Sequence, residues 1–241
     1  MQWQHIPIMK AVAWFDDPGA ADAVHASGVF EAASGAPDLA WVDALTRRRL
    51  SRIARAVLDC AGRCQTAPGD LRLVVASRHG EVARTLSQLE DLASGAELSP
   101  TAFSLSVHNV TAGLLSIIRG NRAPISAVAA GEETFGWGLL DAYAAHAAAP
   151  ESPVLYLYAD DALPAALGEF SDTSDGLMAI GILISSDARR RLDIRAGAAS
   201  TARDERSLPA SFTTTGSQGC WNGGRMRFEW RWDCSGAGHV H

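Results

Sequence analysis

The sequence predicts an α/β protein containing parallel strand units, and three observations predict it. Short runs of apolar and β-branched residues at 71–77 (LRLVVAS), 125–130 and 154–159 (VLYLYA) read as buried strands. The segments between them space their apolar residues as helices do. Strand, crossover helix and strand in succession is the signature of a parallel sheet.

The elements follow in order. Residues 10–15 (KAVAWF) form a first strand, stopped by Asp16, Asp17, Pro18 and Gly19, a turn-forming run. Residues 19–38 are rich in Ala, Gly and Ser and read as loop with a short helical piece. Thr46 is placed to cap a helix over 47–61, with Leu50, Ile53, Val57, Leu58 and Ala61 on one face. Arg47, Arg48, Arg52 and Arg55 lie on its other sides and read as a solvated face, although an acidic carrier protein would also fit them. After the strand at 71–77 comes a helix over 81–93 that turns Val82, Leu86, Leu89 and Ala93 inward. A helix over 106–119 carries Val107, Val110, Leu114, Ile117 and Ile118, and residues 120–124 break it. The strand 125–130 runs into Gly131, which opens a helix with Phe135, Leu139, Ala142, Tyr143 and His146 along one side.

Beyond a linker at 150–153, the strand 154–159 ends at Asp160 and Asp161, and 177–185 is apolar enough to be a central strand. Residues 187–195 have no assigned state, and 196–218 read as loop with a short helix near 207–212. Residues 220–224 read as a turn. Residues 225–232 alternate, with Met226, Phe228, Trp230 and Trp232 on one face and Arg225, Arg227, Glu229 and Arg231 on the other, as expected of a half-buried strand at a sheet edge. The tail 235–241 reads as frayed.

Composition narrows the function. A chain of 241 residues with net charge −6 lacks the basic excess of a nucleic-acid binder. The longest apolar run, 177–184, is far short of the roughly 20 residues of a membrane span. No basic, then apolar, leader opens the chain, so a cytoplasmic protein with reduced thiols is expected. Of the four cysteines, Cys60 and Cys64 lie one helical turn apart and read as structural thiols. No metal-ligand set, dinucleotide fingerprint or nucleophile elbow is present, and neither metal nor cofactor is expected.

The stretch most suggestive of chemistry is 99–146. A buried strand that turns sharply into a helix presents its first residues to free N–H groups and a favourable dipole. Such a turn suits a nucleophile and an oxyanion site. Here it offers Gly131, Glu132, Glu133 and Thr134, with neither Cys nor Ser. Two acidic residues in a first helical turn also complement the dipole without any further role. His108 invites a reading as a base, but no partner accompanies it in sequence. His79 and Gly80 are read as backbone geometry, and 219–224 lacks the strand-then-helix setting of a phosphate loop.

The pattern SP…F…S…HN…AG…SI…G…AP over this stretch resembles the N-terminal half of a β-ketoacyl synthase, where it leads into a strand and the nucleophilic Cys. Laid against that pattern, Glu132 falls at the nucleophile position, within one residue either way. The resemblance spans about 10–186. It is similar in particular to the short, Cys-lacking chain length factors of aryl polyene biosynthesis. It implies a thiolase-like fold, a mixed and mostly parallel sheet flanked by helices and truncated relative to a full ketosynthase. One unit, 1–241, would comprise a first-half core, 1–186, and a reduced C-terminal segment with an edge strand, 187–241. Decarboxylating synthases carry two further His within motifs resembling HGTGT and NSFGHGG, and after His146 only His239 and His241 remain.

The resemblance therefore implies no catalytic residue in this chain. It implies a subunit that pairs as a heterodimer with a catalytic β-ketoacyl synthase in polyene, polyketide or fatty-acid-type elongation, with acyl carrier protein as an indirect or weak partner. Phe103, Leu105 and Phe135 are the candidates for an acyl tunnel, and His108 and Asn109 for hydrogen bonds at the subunit interface. Two alternatives stand beside it: an independent decarboxylase or thioesterase-like enzyme using Glu132 or Glu133, and a structural homodimer without an acyl ligand.

Overall fold

The structure is a computed structural model that describes residues 2–64, 70–170, 176–199, 204, 207–214, 217–223 and 225–233. Among the described residues nine strands form one mixed sheet: β1 (Gln4–Phe15), β2 (Glu31–Ser34), β3 (Arg72–Ala76), β4 (Ile125–Val128), β5 (Val154–Asp160), β6 (Met178–Ile184), β7 (Arg190–Ala198), β8 (Gln218–Asn222) and β9 (Met226–Asp233). Their order is β4-β3-β5-β6-β1-β7-β9-β8, with β2 parallel to the end of β1. The β4, β3 and β5 strands are mutually parallel through crossover helices, as the sequence pattern requires.

The centre of the sheet is β6, whose seven residues are all buried. Its Gly181 has a packing reason: a Cβ there would lie 2.9 Å from Cys64 Sγ and 3.0 Å from a Val12 methyl. The helix α3 (Arg52–Cys64) can therefore press closely on β6, and it buries Val57, Leu58, Cys60, Ala61 and Cys64. On this face a second core joins α3 to Val12, Trp14, Val75, Leu155 and Leu157. The opposite face holds the larger core, in which Ile6, Tyr156, Ile180, Ile194, Phe228 and Trp230 pack under α1 (Pro18–Ala26), α7 (Thr134–Ala148) and α8 (Leu208–Thr214).

Several sequence expectations are corrected. The helix expected over 47–61 is two helices, α2 (Ala44–Arg49) and α3, because Leu50 is extended and Ser51 restarts the chain by accepting the Ala54 N–H. The cap of α2 is Asp43, which accepts from Leu45 and Thr46, and not Thr46. The loop with a short helical piece expected at 19–38 has that piece as α1 but also holds the strand β2. The helix expected over 106–119 starts later, as α6 (Val110–Arg119), which ends at Gly120 with φ +62°, and a separate short helix α5 (Pro100–Ser104) precedes it. The strand β4 is not buried: it is an edge, with Ile125, Ser126 and Ala127 exposed. The helix α4 (Val82–Ala93) buries none of its residues, and Leu89 is turned outward.

Strands take residues 190–195 of the unassigned 187–195 and residues 220–222 of the expected turn at 220–224, because β7 and β8 flank β9 on either side. The alternating segment is therefore next to the edge, and β8 is the edge. Cys220 is exposed while Cys60 and Cys64 are buried. Cys234, His239, His241 and the tail 235–241 lie outside the described residues.

Candidate functional site

The turn from β4 into α7 is built on Gly131. Its φ of +62° lies in the left-handed region that an L side chain rarely adopts. A 3₁₀ turn, Gly131–Glu133, then leads into α7. The Thr134 hydroxyl closes the turn by donating to the Gly131 carbonyl at 2.6 Å and accepting the Ala130 N–H at 2.8 Å. This is the sharp strand-to-helix corner expected from the sequence.

What surrounds the corner is less expected. Glu133 is buried, and its carboxylate accepts the backbone N–H of Arg225 at 3.2 Å, tying the start of α7 to the β8–β9 hairpin. Glu132 is partly exposed beside it. Two glycines let the helix lie close against the sheet. A Cβ on Gly136 would sit 2.5 Å from the Phe228 ring, and one on Gly138 would sit 2.7 Å from Ala76 Cβ. Tyr156 donates its hydroxyl to the Phe135 carbonyl at 2.7 Å, and burial pushes its pKa well above the usual phenol range. The helix start is thus clamped from three directions, and the corner itself presents no Cys or Ser.

The end of β3 is organised by Asp160. Its carboxylate accepts the Ser77 and Tyr158 hydroxyls and the N–H groups of Arg78 and His79, at 2.7 to 3.0 Å. An internal anion therefore fills the nest of donors at the crevice between parallel strands, the position where such sheets commonly take ligands. His108 lies over Gly80 and donates Nε2–H to the Ser77 carbonyl at 2.8 Å. That bond holds the β3–α4 turn to the start of α6. Asn109 is exposed, and its carbonyl accepts the Gly113 N–H.

The tunnel candidates do not share one environment. Phe135 is fully buried, with ring centroids of Tyr158 and Phe212 at 5.4 and 4.9 Å, and is a core residue. Phe103 is 63% exposed on α5, and Leu105 is half-buried beside it. The sequence reading missed that Phe103 is one of several large apolar side chains left exposed along the chain from α4 to β4. From α4 to β4 the chain exposes Leu89, Leu92, Leu98, Phe103, Val107, Ile117 and Ile125, with Ile117 at 78%. Among the described residues no strand pairs with the outer edge of β4. The helical spacing read Leu89 as pointing inward, and only the folded chain shows that it points out.

Among the described residues no helix is long and apolar enough to cross a membrane, and no group of three or more His, Cys, Asp or Glu is arranged to hold a metal.

Comparison with known proteins follows the same line. The family model "Beta-ketoacyl synthase, N-terminal domain" matches residues 22–233. No curated protein matches the sequence. Among solved structures, a ketosynthase in complex with its chain length factor from Xenorhabdus doucetiae superposes with a TM-score of 0.72 at 23% identity, covering 96% of this chain and 97% of that one. The ishigamide ketosynthase/chain length factor gives 0.58 at 15%, over 80% of this chain and 67% of that one. A β-ketoacyl synthase from Burkholderia phymatum gives 0.53 at 13%, over 75% of this chain and only 56% of that one. At these identities the likeness is one of fold: a mixed sheet flanked by helices, as in ketosynthases.

Proposed function

This chain belongs to the β-ketoacyl synthase N-terminal domain family, and we propose that within it the chain is a non-catalytic subunit that pairs with a competent β-ketoacyl synthase. The pairing would serve elongation of a polyene, polyketide or fatty-acid-type chain carried on an acyl carrier protein, in the manner of a chain length factor, as a cytoplasmic heterodimer. In this reading residues 1–186 are the synthase-like core and 187–241 a reduced second part.

The observation that carries the reading is the exposed apolar surface from α4 to β4. Surfaces of this kind mark interaction sites in soluble proteins. Here it includes Leu92, Phe103 and Ile117, each more than half exposed, and ends at the outer edge of β4, which no described strand pairs. The turn chemistry agrees with it. The nucleophile-equivalent position carries Glu132, and Glu133 is engaged with the hairpin, so neither covalent acyl transfer nor a free buried carboxylate base is at hand. Phe103 and Leu105, at the rim of that surface, are the residues we assign to a tunnel wall completed by the second subunit. Asn109 is assigned to its interface, with His108 as the internal support behind it.

The test is co-purification. The chain is tagged and co-expressed with the full-length synthase of its own gene neighbourhood. A defined complex whose product length changes when this chain is omitted supports the proposal. Recovery of this chain alone or as a homodimer, beside an active synthase homodimer, overturns it.

A further inference from the structure

The helix α4 has little of its own to hold it. Only its first part is half-buried, through Val82, Arg84, Leu86 and Gln88, and every residue from Leu89 to Ala93 is exposed. A helix whose apolar side meets no core is fixed by its attachment, so its direction is set where it leaves the sheet. That place is the β3–α4 turn, in which every backbone N–H from Ser77 to Gly80 has an acceptor. The Ser77 N–H meets the Val128 carbonyl of β4 at 3.2 Å. Those of Arg78 and His79 meet the Asp160 carboxylate, at the end of β5, at 2.9 and 3.0 Å. That of Gly80 meets the Ser77 hydroxyl at 2.8 Å, and the same hydroxyl donates to Asp160 at 2.9 Å. With the Tyr158 hydroxyl added, each Asp160 oxygen takes two donors.

The same turn is reached from the start of α6. His108 donates to the Ser77 carbonyl at 2.8 Å, and its ring covers Gly80, where a Cβ would stand 3.0 Å from Cδ2. Gly80 has φ +55°, so both its backbone and its neighbour call for glycine. The cavity left among Ser77, Gly80, Glu81, His108 and Thr111 is about 10 Å³, room for no more than one water. Val107, 44% exposed, directly precedes His108. One carboxylate thus governs two parts of the exposed apolar set: the line of α4, which carries Leu89 and Leu92, and the place of Val107.

We propose that Asp160 is the positioning residue of the pairing surface. Acting through Ser77 and His108, it holds α4 and Val107 in the arrangement the synthase meets, so that Leu89, Leu92 and Val107 are in place before the partner arrives. This role presumes the pairing proposed for that surface. Its physical basis is leverage and preorganisation. Leu92 lies about 15 Å along the helix axis from Val82, so a tilt of about 10° at the turn carries it roughly 2.6 Å, more than half the span of an apolar contact. A helix free to sample such tilts loses that freedom on binding, and the loss opposes association.

The test is Asp160→Asn, which turns an amide nitrogen toward groups that donate. In the isolated chain, amide hydrogen exchange across 78–93 should quicken roughly tenfold while β5 and the Ala112–Leu115 part of α6 stay unchanged. Titration calorimetry against the synthase should show binding roughly tenfold weaker. A merely structural Asp160 would lower the folded fraction without coupling to one surface residue, and a double-mutant cycle separates the two roles. Leu92→Ser alone should weaken binding roughly tenfold, but less than about threefold on top of Asp160→Asn, because Leu92 is then already displaced. Ile117→Ser, on a helix held by the buried Ala112 and Leu115, should multiply with Asp160→Asn in full. Should Asp160→Asn fail to fold, His108→Leu removes only the donor to Ser77 and should weaken binding roughly threefold, and His108→Gln, with an amide donor in its place, should bind within about twofold of the unmodified chain. Unchanged exchange across 78–93, or full additivity with Leu92→Ser, overturns the proposal. A complex weakened by Ile117→Ser yet indifferent to Asp160→Asn overturns it and leaves the pairing surface standing. Indifference to Ile117→Ser removes the pairing surface and this role with it, so the two failures are told apart.

Discussion

Replacement of Ile117 by Glu separates an interface residue from a core residue within one helix. Ile117 is 78% exposed on α6, whereas Leu115, two positions earlier, is 2% exposed against the other side. Full burial of an Ile side chain contributes about 1.5–3 kcal/mol, so covering the exposed part of Ile117 with a partner contributes roughly 1.5–2 kcal/mol. A carboxylate enclosed there without a cation costs roughly 2–3 kcal/mol more. The sum, roughly 4 kcal/mol, weakens association about a thousandfold at 1.4 kcal/mol per tenfold. Ile117→Ser removes mainly the apolar part and should weaken it roughly tenfold to thirtyfold. Neither change touches a buried group of the isolated chain, so its unfolding free energy should move by about 0.5 kcal/mol or less. Leu115→Ala should do the reverse and cost the chain about 2–5 kcal/mol. The assay is titration calorimetry of each variant against the synthase, with urea unfolding of the isolated chain alongside. If Ile117→Glu binds within threefold of the unmodified chain, the α4–β4 surface is not the pairing surface and the functional proposal loses its carrying observation.

Further outcomes follow from contacts already described. Gly136→Ala drives a methyl to 2.5 Å from the Phe228 ring and should cost about 1–3 kcal/mol by thermal unfolding, with Phe228→Leu in the same chain recovering part of it. Glu133→Ala removes the acceptor for the Arg225 N–H; it should cost about 1–3 kcal/mol and speed hydrogen exchange at Arg225 selectively. Burial raises the Asp193 pKa, but hydrogen bonds from His5 and Arg231 and the charge of Arg191 outweigh it, and the net shift is downward. A depressed carboxylate stabilises the fold above its unfolded value, about 3.9, and the contribution is lost as pH falls through the folded value. Asp193→Asn should therefore be the less stable chain at pH 7, and urea midpoints should converge with those of the unmodified chain below about pH 4. Burial also holds the Cys64 thiol up at about 12, so iodoacetamide at pH 8 should leave Cys60 and Cys64 unmodified in the folded chain and alkylate them only on unfolding.

The fold class was legible because the strands that carry it are locally consistent. Apolar runs at β3 and β5, separated by helical spacings, admit little besides parallel units flanked by helices, whereas β6 pairs antiparallel with both β5 and β1. The edges were less legible. The β4 run is as apolar as a buried strand, and composition alone does not distinguish a strand covered within the chain from one left for a partner. The same ambiguity misdirected Leu89, since periodicity gives the apolar face of a helix and not what the face meets. The hairpin β8–β9 was half seen: the alternation in β9 was plain, but β8 is short and carries Gly219 and Asn222, which read as turn residues. The Glu133–Arg225 contact spans 92 residues and involves a backbone N–H, so no sequence pattern encodes it.

That contact also bears on what the turn can do. A helix start that served as an anion site would leave its N–H groups facing an open cleft. Here Gly136 and Gly138 bring α7 against Phe228 and Ala76, Tyr156 holds the Phe135 carbonyl, and Glu133 fastens the hairpin. If Glu132 stands at the nucleophile position, as proposed, substituting it with Cys would thus restore only the nucleophile of the family pattern. It would not restore the paired histidines that decarboxylative condensation uses, and the clamps would remain. The expected result for Glu132→Cys is a folded chain that labels with a maleimide but shows no turnover of malonyl-carrier protein. Turnover by that variant alone would mean that the scaffold retains a competent site, and the subunit would then be a synthase silenced at one position.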